Sequence, residues 1–70
     1  MTLQTIKERL SQKPFRAFAL ETVGGTWLDV SRESDCVIFE RNGLVRIVIF
    51  ATNGEMNILE PDQVASVAVK

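Results

Sequence analysis

The sequence predicts one α+β domain, mainly β, in which a short N-terminal helix precedes an antiparallel meander of five or six strands, bent or closed into a small barrel. Three observations lead to this prediction. Apolar residues recur at helical spacing only near the start of the chain, β-branched and aromatic residues dominate from residue 15 onward, and three turn signals divide that second part. The 70 residues suffice for a single domain over 1–70. The connections are too short for crossovers between parallel strands.

The helix is predicted over residues 2–12. Its apolar stripe, at i, i+3 and i+7 spacing, consists of Leu3, Ile6 and Leu10. Thr2 or Thr5 can cap its first turn. Pro14 disfavours helical geometry at Lys13, so the helix ends there and the chain becomes extended. The stripe is narrow, which suits a helix lying on a sheet or on the end of a barrel.

Turn signals delimit the strands that follow the helix. These signals are Gly24-Gly25, Asn42-Gly43 and Asn53-Gly54. At Asn42-Gly43 a two-residue turn sets Ile38 opposite Ile47. The same turn at Asn53-Gly54 sets Ile49 opposite Ile58 and places Val48 opposite Leu59.

The Gly24-Gly25 hairpin requires a different loop. A two-residue loop would place Leu20 opposite Asp29, whereas register must keep apolar residues together. A three-residue loop of Gly24, Gly25 and Thr26 sets Leu20 opposite Val30. We therefore predict the three-residue loop.

The end of the chain is predicted to close the sheet. Pro61 and Asp62 suit the start of a single 3₁₀ turn near 61–64, because proline tolerates the first helical position and an acid suits the N-terminal end. The residues after this turn alternate as in a short strand, so the sheet or barrel is expected to occupy 15–70.

Composition excludes several kinds of site. The chain has no His and a single cysteine, Cys36, which excludes histidine triads, His-containing zinc sites and all-cysteine zinc sites. We expect no cofactor and no metal.

The lone cysteine and the absence of a signal peptide or membrane span indicate a cytoplasmic protein with no membrane partner. Eight basic against nine acidic residues give a net charge of −1, which argues against nucleic acid as a partner.

The order of elements resembles that of small barrels of the Sm-like and SH3-like kind. The sequence is also similar to a group of small uncharacterised bacterial proteins in which a short helix runs into a "KPFRPF"-like entry, here "KPFRAF" at 13–18, before a Gly-containing hairpin, here "LETVGGTWLDV" at 20–30. The resemblance covers most of the chain and implies a fold, with no activity attached.

The Sm-like resemblance also implies a test for RNA binding. That family contacts RNA through a basic element just before the last strand, but residues 59–62 here read "LEPD", and these acids repel phosphate. A single-stranded RNA-binding function remains the alternative. It would need a cationic patch at the end of the helix, formed by Lys7, Arg9, Lys13 and Arg16.

Two candidate sites belong to the Gly24-Gly25 hairpin. The predicted loop sets Glu21 opposite Asp29, where facing carboxylates could serve acid–base catalysis or hold a hard cation, or simply form a solvated face with mild repulsion. We do not expect an enzyme of that kind. The same loop sets Trp27 opposite Val23. Trp27 either marks a contact surface or is covered by the helix.

The stretch "LVRIVIFA" at 44–51 is apolar on both faces of one strand. One face, which holds Val45, Ile47 and Ile49 with Ile38, Ile58 and Met56 alongside, is predicted to complete the core. The other face holds Val37, Phe39, Val48, Phe50 and Leu59. Arg46 interrupts this second face, either as an interface residue or as an arginine whose stem packs while its head reaches water. Either the helix or another copy of the chain covers this second face. One helix with three apolar residues cannot cover both this face and Trp27. We therefore expect a non-catalytic interaction or assembly module that self-associates as a homo-oligomer, with another protein as the alternative partner.

Overall fold

The structure, a computed structural model, describes residues 2–70. The elements in chain order are α1 (Thr2–Ser11), β1 (Phe18–Thr22), β2 (Trp27–Val30), the 3₁₀ turn η1 (Glu33–Asp35), β3 (Cys36–Arg41), β4 (Leu44–Phe50), β5 (Met56–Leu59), the 3₁₀ turn η2 (Pro61–Gln63) and β6 (Val64–Val69). The predicted order of one helix, antiparallel strands, a late 3₁₀ turn and a closing strand is confirmed. The turn η1 was not predicted.

The six strands form two three-stranded sheets. One has the order β2-β1-β6 and the other β3-β4-β5, and all the paired strands are antiparallel. Within residues 2–70 no closed barrel is found, so the predicted closure is not supported. The 3₁₀ turns η1 and η2 interrupt the chain at both passages between the sheets, where backbone N–H groups bond locally: Asp35 N donates to Arg32 O and Gln63 N to Glu60 O, each at 2.9 Å.

The core lies between the two sheets and is covered at one end by α1. Its buried members are Ile6, Phe18, Leu20, Val30, Cys36, Ile47, Ile49 and Val64, and Leu3 and Leu10 pack against them. The helical stripe therefore covers the inner faces of the sheets. Two solvent-exposed ion pairs link the helix and the segment that leaves it to the rest of the chain: Lys7 pairs with Glu40 in β3, and Lys13 pairs with Glu33 in η1.

The Asn42-Gly43 hairpin has the predicted register. Asn42 (φ 52°) and Gly43 (φ 78°) both adopt left-handed backbone conformations, as a two-residue type I′ turn requires. Ile38 consequently pairs with Ile47, and Cys36 with Ile49.

The first hairpin has the predicted three-residue loop, but the loop is placed one residue earlier. Thr22 N donates to Thr26 O at 2.8 Å and Gly25 N donates to Thr22 O at 2.9 Å, so the loop consists of residues 23–25. Gly25 has φ 90°, the left-handed position that ends such a loop. The loop must therefore begin at Val23, not at Gly24.

This placement changes the partners across β1 and β2 without changing the faces. Leu20 pairs with Leu28, where Val30 was predicted, and Glu21 pairs with Trp27. The shift amounts to two residues, and side chains alternate with a period of two, so the apolar set stays on the inner face.

The third hairpin does not have the predicted two-residue turn. Ala51 N donates to Glu55 O at 2.8 Å and Gly54 has φ 91°, so this loop also has three residues, 52–54. The register shifts by one residue: Val48 pairs with Ile58, and Ile47 with Leu59. A one-residue shift exchanges faces.

Candidate functional site

The outer face of the β3-β4-β5 sheet is the candidate site, and strand alternation builds it. In β4 every second side chain from Leu44 points away from the core, and directly paired residues of β3 and β5 share that side. The outer face, as the term is used below, consists of Val37, Phe39, Arg41, Leu44, Arg46, Val48, Phe50, Met56 and Ile58.

The outer face is apolar and largely uncovered. Six of its large apolar side chains are exposed, by up to 60% for Phe39 and 57% for Ile58; the others are Val37, Leu44, Phe50 and Met56. Val48 is only 6% exposed because its neighbours Val37 and Ile58 flank it in one row. Contiguous exposed apolar patches of this kind mark interaction surfaces.

The helix leaves this face open. Its apolar residues pack on the core between the sheets, and Lys7 of α1 pairs with Glu40, which points to the inner side of β3. Of the two covers considered for the second face of "LVRIVIFA", the helix is therefore excluded.

Arg46 is the one charged side chain in the middle of the outer face. Its Nη1 donates to Val45 O at 2.8 Å and lies 3.4 Å from Glu60 Oε1, with about a third of the side chain exposed. The ion pair draws the guanidinium toward the β5 edge. The apolar centre around Val48 therefore contains no unpaired charge.

The sequence placed two members of this face wrongly. A two-residue turn at Asn53-Gly54 predicts Ile58 and Met56 in the core and Leu59 on the second face. The observed register puts Ile58 and Met56 outside and Leu59 inside. Leu44 was also missed, although alternation from Arg46 would have found it.

Trp27 and Val23 lie elsewhere, on the β2-β1-β6 sheet and its hairpin. Trp27 is 50% exposed and Val23 69% exposed, so the helix does not bury the tryptophan. The predicted pairing of the two is wrong, since Trp27 pairs with Glu21. Trp27 instead borders a cleft of about 190 Å³ toward the β4–β5 hairpin, together with Asp29 and Asn57.

The facing carboxylate pair is not formed. Glu21 accepts a hydrogen bond from Ser66 Oγ at 2.9 Å, whereas Asp29 pairs with Lys70 Nζ at 2.8 Å and stands opposite Ala19. Within the described chain no cluster of three potential metal ligands occurs. The geometry thus lacks the arrangement that the catalytic hypothesis needed.

The four predicted RNA-contacting cations are partly neutralised. Lys7 pairs with Glu40, and Lys13 Nζ lies 2.7 Å from Glu33 Oε1. Arg9 belongs to the last turn of α1 and Arg16 is exposed between α1 and β1. Carboxylates thus hold two of the four charges that a phosphate contact would use.

Cys36 is buried at the start of β3, and burial raises the pKa of its thiol from 9.0 to about 11. A thiol of this kind is a weak nucleophile at neutral pH. It acts as a small core residue.

We expect the thiol to make folding stability fall at alkaline pH. Between pH 9 and 11 the unfolded chain releases the Cys36 proton while the folded chain keeps it, so ionisation favours unfolding over that window, by up to about 2 kcal/mol. Urea unfolding of the wild type and of Cys36→Ala at pH 8 and at pH 10.5 measures how much stability each protein loses between the two pH values. The alanine variant should lose less stability between the two pH values. Equal losses in both proteins would contradict the assignment.

Comparisons of the chain with protein-family models, with curated proteins and with solved structures found no match. In the described part of the chain, no helix has both the length and the apolar character needed to cross a membrane.

Proposed function

We propose that the chain is a non-catalytic assembly module that forms homodimers through the outer face. One observation carries the proposal: six large apolar side chains are exposed on one face of one sheet, and neither the helix nor the other sheet covers them. Burying such surface is favourable at about 25 cal/mol for each Å² removed from water.

The charge distribution of the face supports a second copy as its partner. An interface between identical copies brings the same patch together twice, so an uncompensated charge in its centre would repel itself. Arg46 is compensated by Glu60 within the same copy. Two apolar sheet faces also pack readily, about 10 Å apart and within about 30° of alignment.

The size of the face sets the strength to expect. Seven residues of β4 and the width of three strands give a flat area of roughly 320 Å², which is less than half of the ~800 Å² per partner of a standard stable interface. We therefore expect a weak dimer, with dissociation constants around the micromolar range or above.

Phe50→Ser tests the proposal. Phe50 is 41% exposed at one end of the face, so serine should raise the dimer dissociation constant about tenfold while the fold is retained. Light scattering over a concentration series measures the association, and circular dichroism checks the fold. Equal association of the variant and the wild type would contradict the proposal.

RNA binding has less support from the geometry, because Lys7 and Lys13 are paired with carboxylates and acids follow β5. Measuring the binding of single-stranded RNA at low and high salt separates the two functions. A steep salt dependence would favour RNA.

A further inference from the structure

We propose that the free edge of β2 binds an extended segment of another protein, which adds to the β2-β1-β6 sheet as a further strand. The segment occupies the cleft of about 190 Å³ that Trp27 borders, between β2 and the β4–β5 hairpin. This site lies on the other sheet from the outer face and is independent of the proposed homodimer.

The backbone of β2 has hydrogen-bonding groups that the sheet leaves unused. Thr22 N donates to Thr26 O across the first hairpin, and along an antiparallel ladder such hydrogen-bonded pairs alternate with pairs that are not bonded. Leu28 is therefore bonded to β1, whereas the N–H and C=O groups of Trp27 and Asp29 point away from it. Within residues 2–70, β2 pairs with no strand other than β1. A free edge of this kind is a template for another strand.

The cleft beside this edge contains a polar side chain that lacks a partner. Asn57 pairs with the core residue Ile49, so its side chain points to the inner side of the sheet, where it lines the cleft together with Leu28. In the described part of the chain the Asn57 amide makes no hydrogen bond, although it is partly buried. An amide offers both a donor and an acceptor, the same groups that a peptide backbone presents. A segment lying along β2 can therefore bond to β2 on one side and to Asn57 on the other.

The shape of the cleft favours a single segment over a second copy of this chain. The β4–β5 hairpin stands beside the β2 edge, where Ala51 and Thr52 line the cleft. Two copies that paired edge to edge would bring both of these hairpins to one seam, where only about 190 Å³ is open. An extended peptide carries no such wall. In strand addition, backbone hydrogen bonds supply the affinity and side chains at alternate positions supply the specificity.

The side chains around the edge determine which residues the segment carries. The segment residue opposite Leu28 points into the cleft, where Ile49 and Ala51 are also apolar, so we expect an apolar residue there. The next residue lies beside Trp27, which is half exposed on the side of the sheet away from the core. We expect a β-branched or aromatic residue at that position, because such residues form stabilising cross-strand pairs with an aromatic ring.

Asp29→Pro tests this recognition of the backbone. Proline removes the N–H of residue 29, which points away from β1, so the sheet keeps its own hydrogen bonds, as it does around prolines in natural edge strands. Asp29→Ala is the matched control, because it also removes the carboxylate that pairs with Lys70 but keeps the N–H. The probes are short peptides selected from a random phage-displayed library on the immobilised wild type. Their binding is measured by the fluorescence of Trp27, the only tryptophan in the sequence.

We expect the selected peptides to change the Trp27 fluorescence, with a dissociation constant that Asp29→Pro raises about tenfold or more and Asp29→Ala raises less than about threefold. Circular dichroism checks the fold of both variants. Hydrogen exchange of the wild type is a second measurement, because bound peptide should slow exchange of the Trp27 and Asp29 amides. Peptides that leave these amides and the fluorescence unchanged, or that bind both variants equally, would overturn the proposal. A fluorescence change on concentrating the protein without peptide would assign the edge to a second copy and would overturn it too.

Discussion

Ile58→Asp should convert the protein to a monomer at concentrations where the wild type is dimeric. Ile58 is 57% exposed and lies beside Val48 in the middle row of the outer face. Dimerisation would bury the new carboxylate without a partner, which costs at least about 2 kcal/mol and raises the dissociation constant about thirtyfold or more. Sedimentation velocity of the two proteins at equal concentration measures the change.

Val23→Asp is the matched control for that variant. It makes the same kind of change, from a β-branched apolar residue to aspartate, at a side chain that is 69% exposed but lies on the first hairpin, away from the outer face. The control should associate like the wild type. If Val23→Asp dissociates the dimer and Ile58→Asp does not, the interface lies on the other sheet, near Trp27.

Ile6→Ala should lower the free energy of unfolding by about 2–4 kcal/mol. Ile6 is fully buried in the core, and removing a buried isoleucine side chain leaves a cavity at the contact between α1 and the sheets. The free energy of unfolding of domains of this size is only a few kcal/mol, so the variant should be largely unfolded near body temperature. Urea unfolding in the cold, at low protein concentration, measures the loss.

Ile58→Ala removes the same atoms from the outer face and is the control. Because Ile58 is exposed in the single chain, its replacement should cost less than about 1 kcal/mol when measured at concentrations too low for dimers. Similar losses from the two variants would mean that the helix and the core are not arranged as described.

The three hairpins show how far the sequence predicts register. Asn42-Gly43 and Asn53-Gly54 are the same dipeptide, yet the first forms a two-residue turn and the second ends a three-residue loop. In the second, Asn53 Oδ1 accepts a hydrogen bond from Glu55 N at 3.0 Å, which stabilises the longer loop. The loop length depends on which faces of β4 and β5 must lie on the same side of the sheet. The four residues of β5 are too few for an alternating pattern that would show this.

The candidate site was predictable where the strand was long. Alternation through Arg46, Val48 and Phe50, joined to β3 by a correctly predicted turn, placed Val37 and Phe39 on the same side. Across the third hairpin the one-residue error exchanged Ile58 and Leu59. The fold class needed only periodicity and turn positions. Barrel closure would need backbone hydrogen bonds between the edge strands of the two sheets, and periodicity within each strand does not show whether such bonds form.

The central claim is that the chain associates with itself through the outer face. The most direct test is to record amide NMR spectra of the wild type during dilution from about 1 mM to about 20 μM, because this range brackets the dissociation constant of a weak dimer. We predict concentration-dependent chemical shifts concentrated in β3, β4 and β5, with the largest changes around Val48 and Ile58. Spectra that stay constant over the whole range, or shifts confined to β2 around Trp27, would contradict the claim.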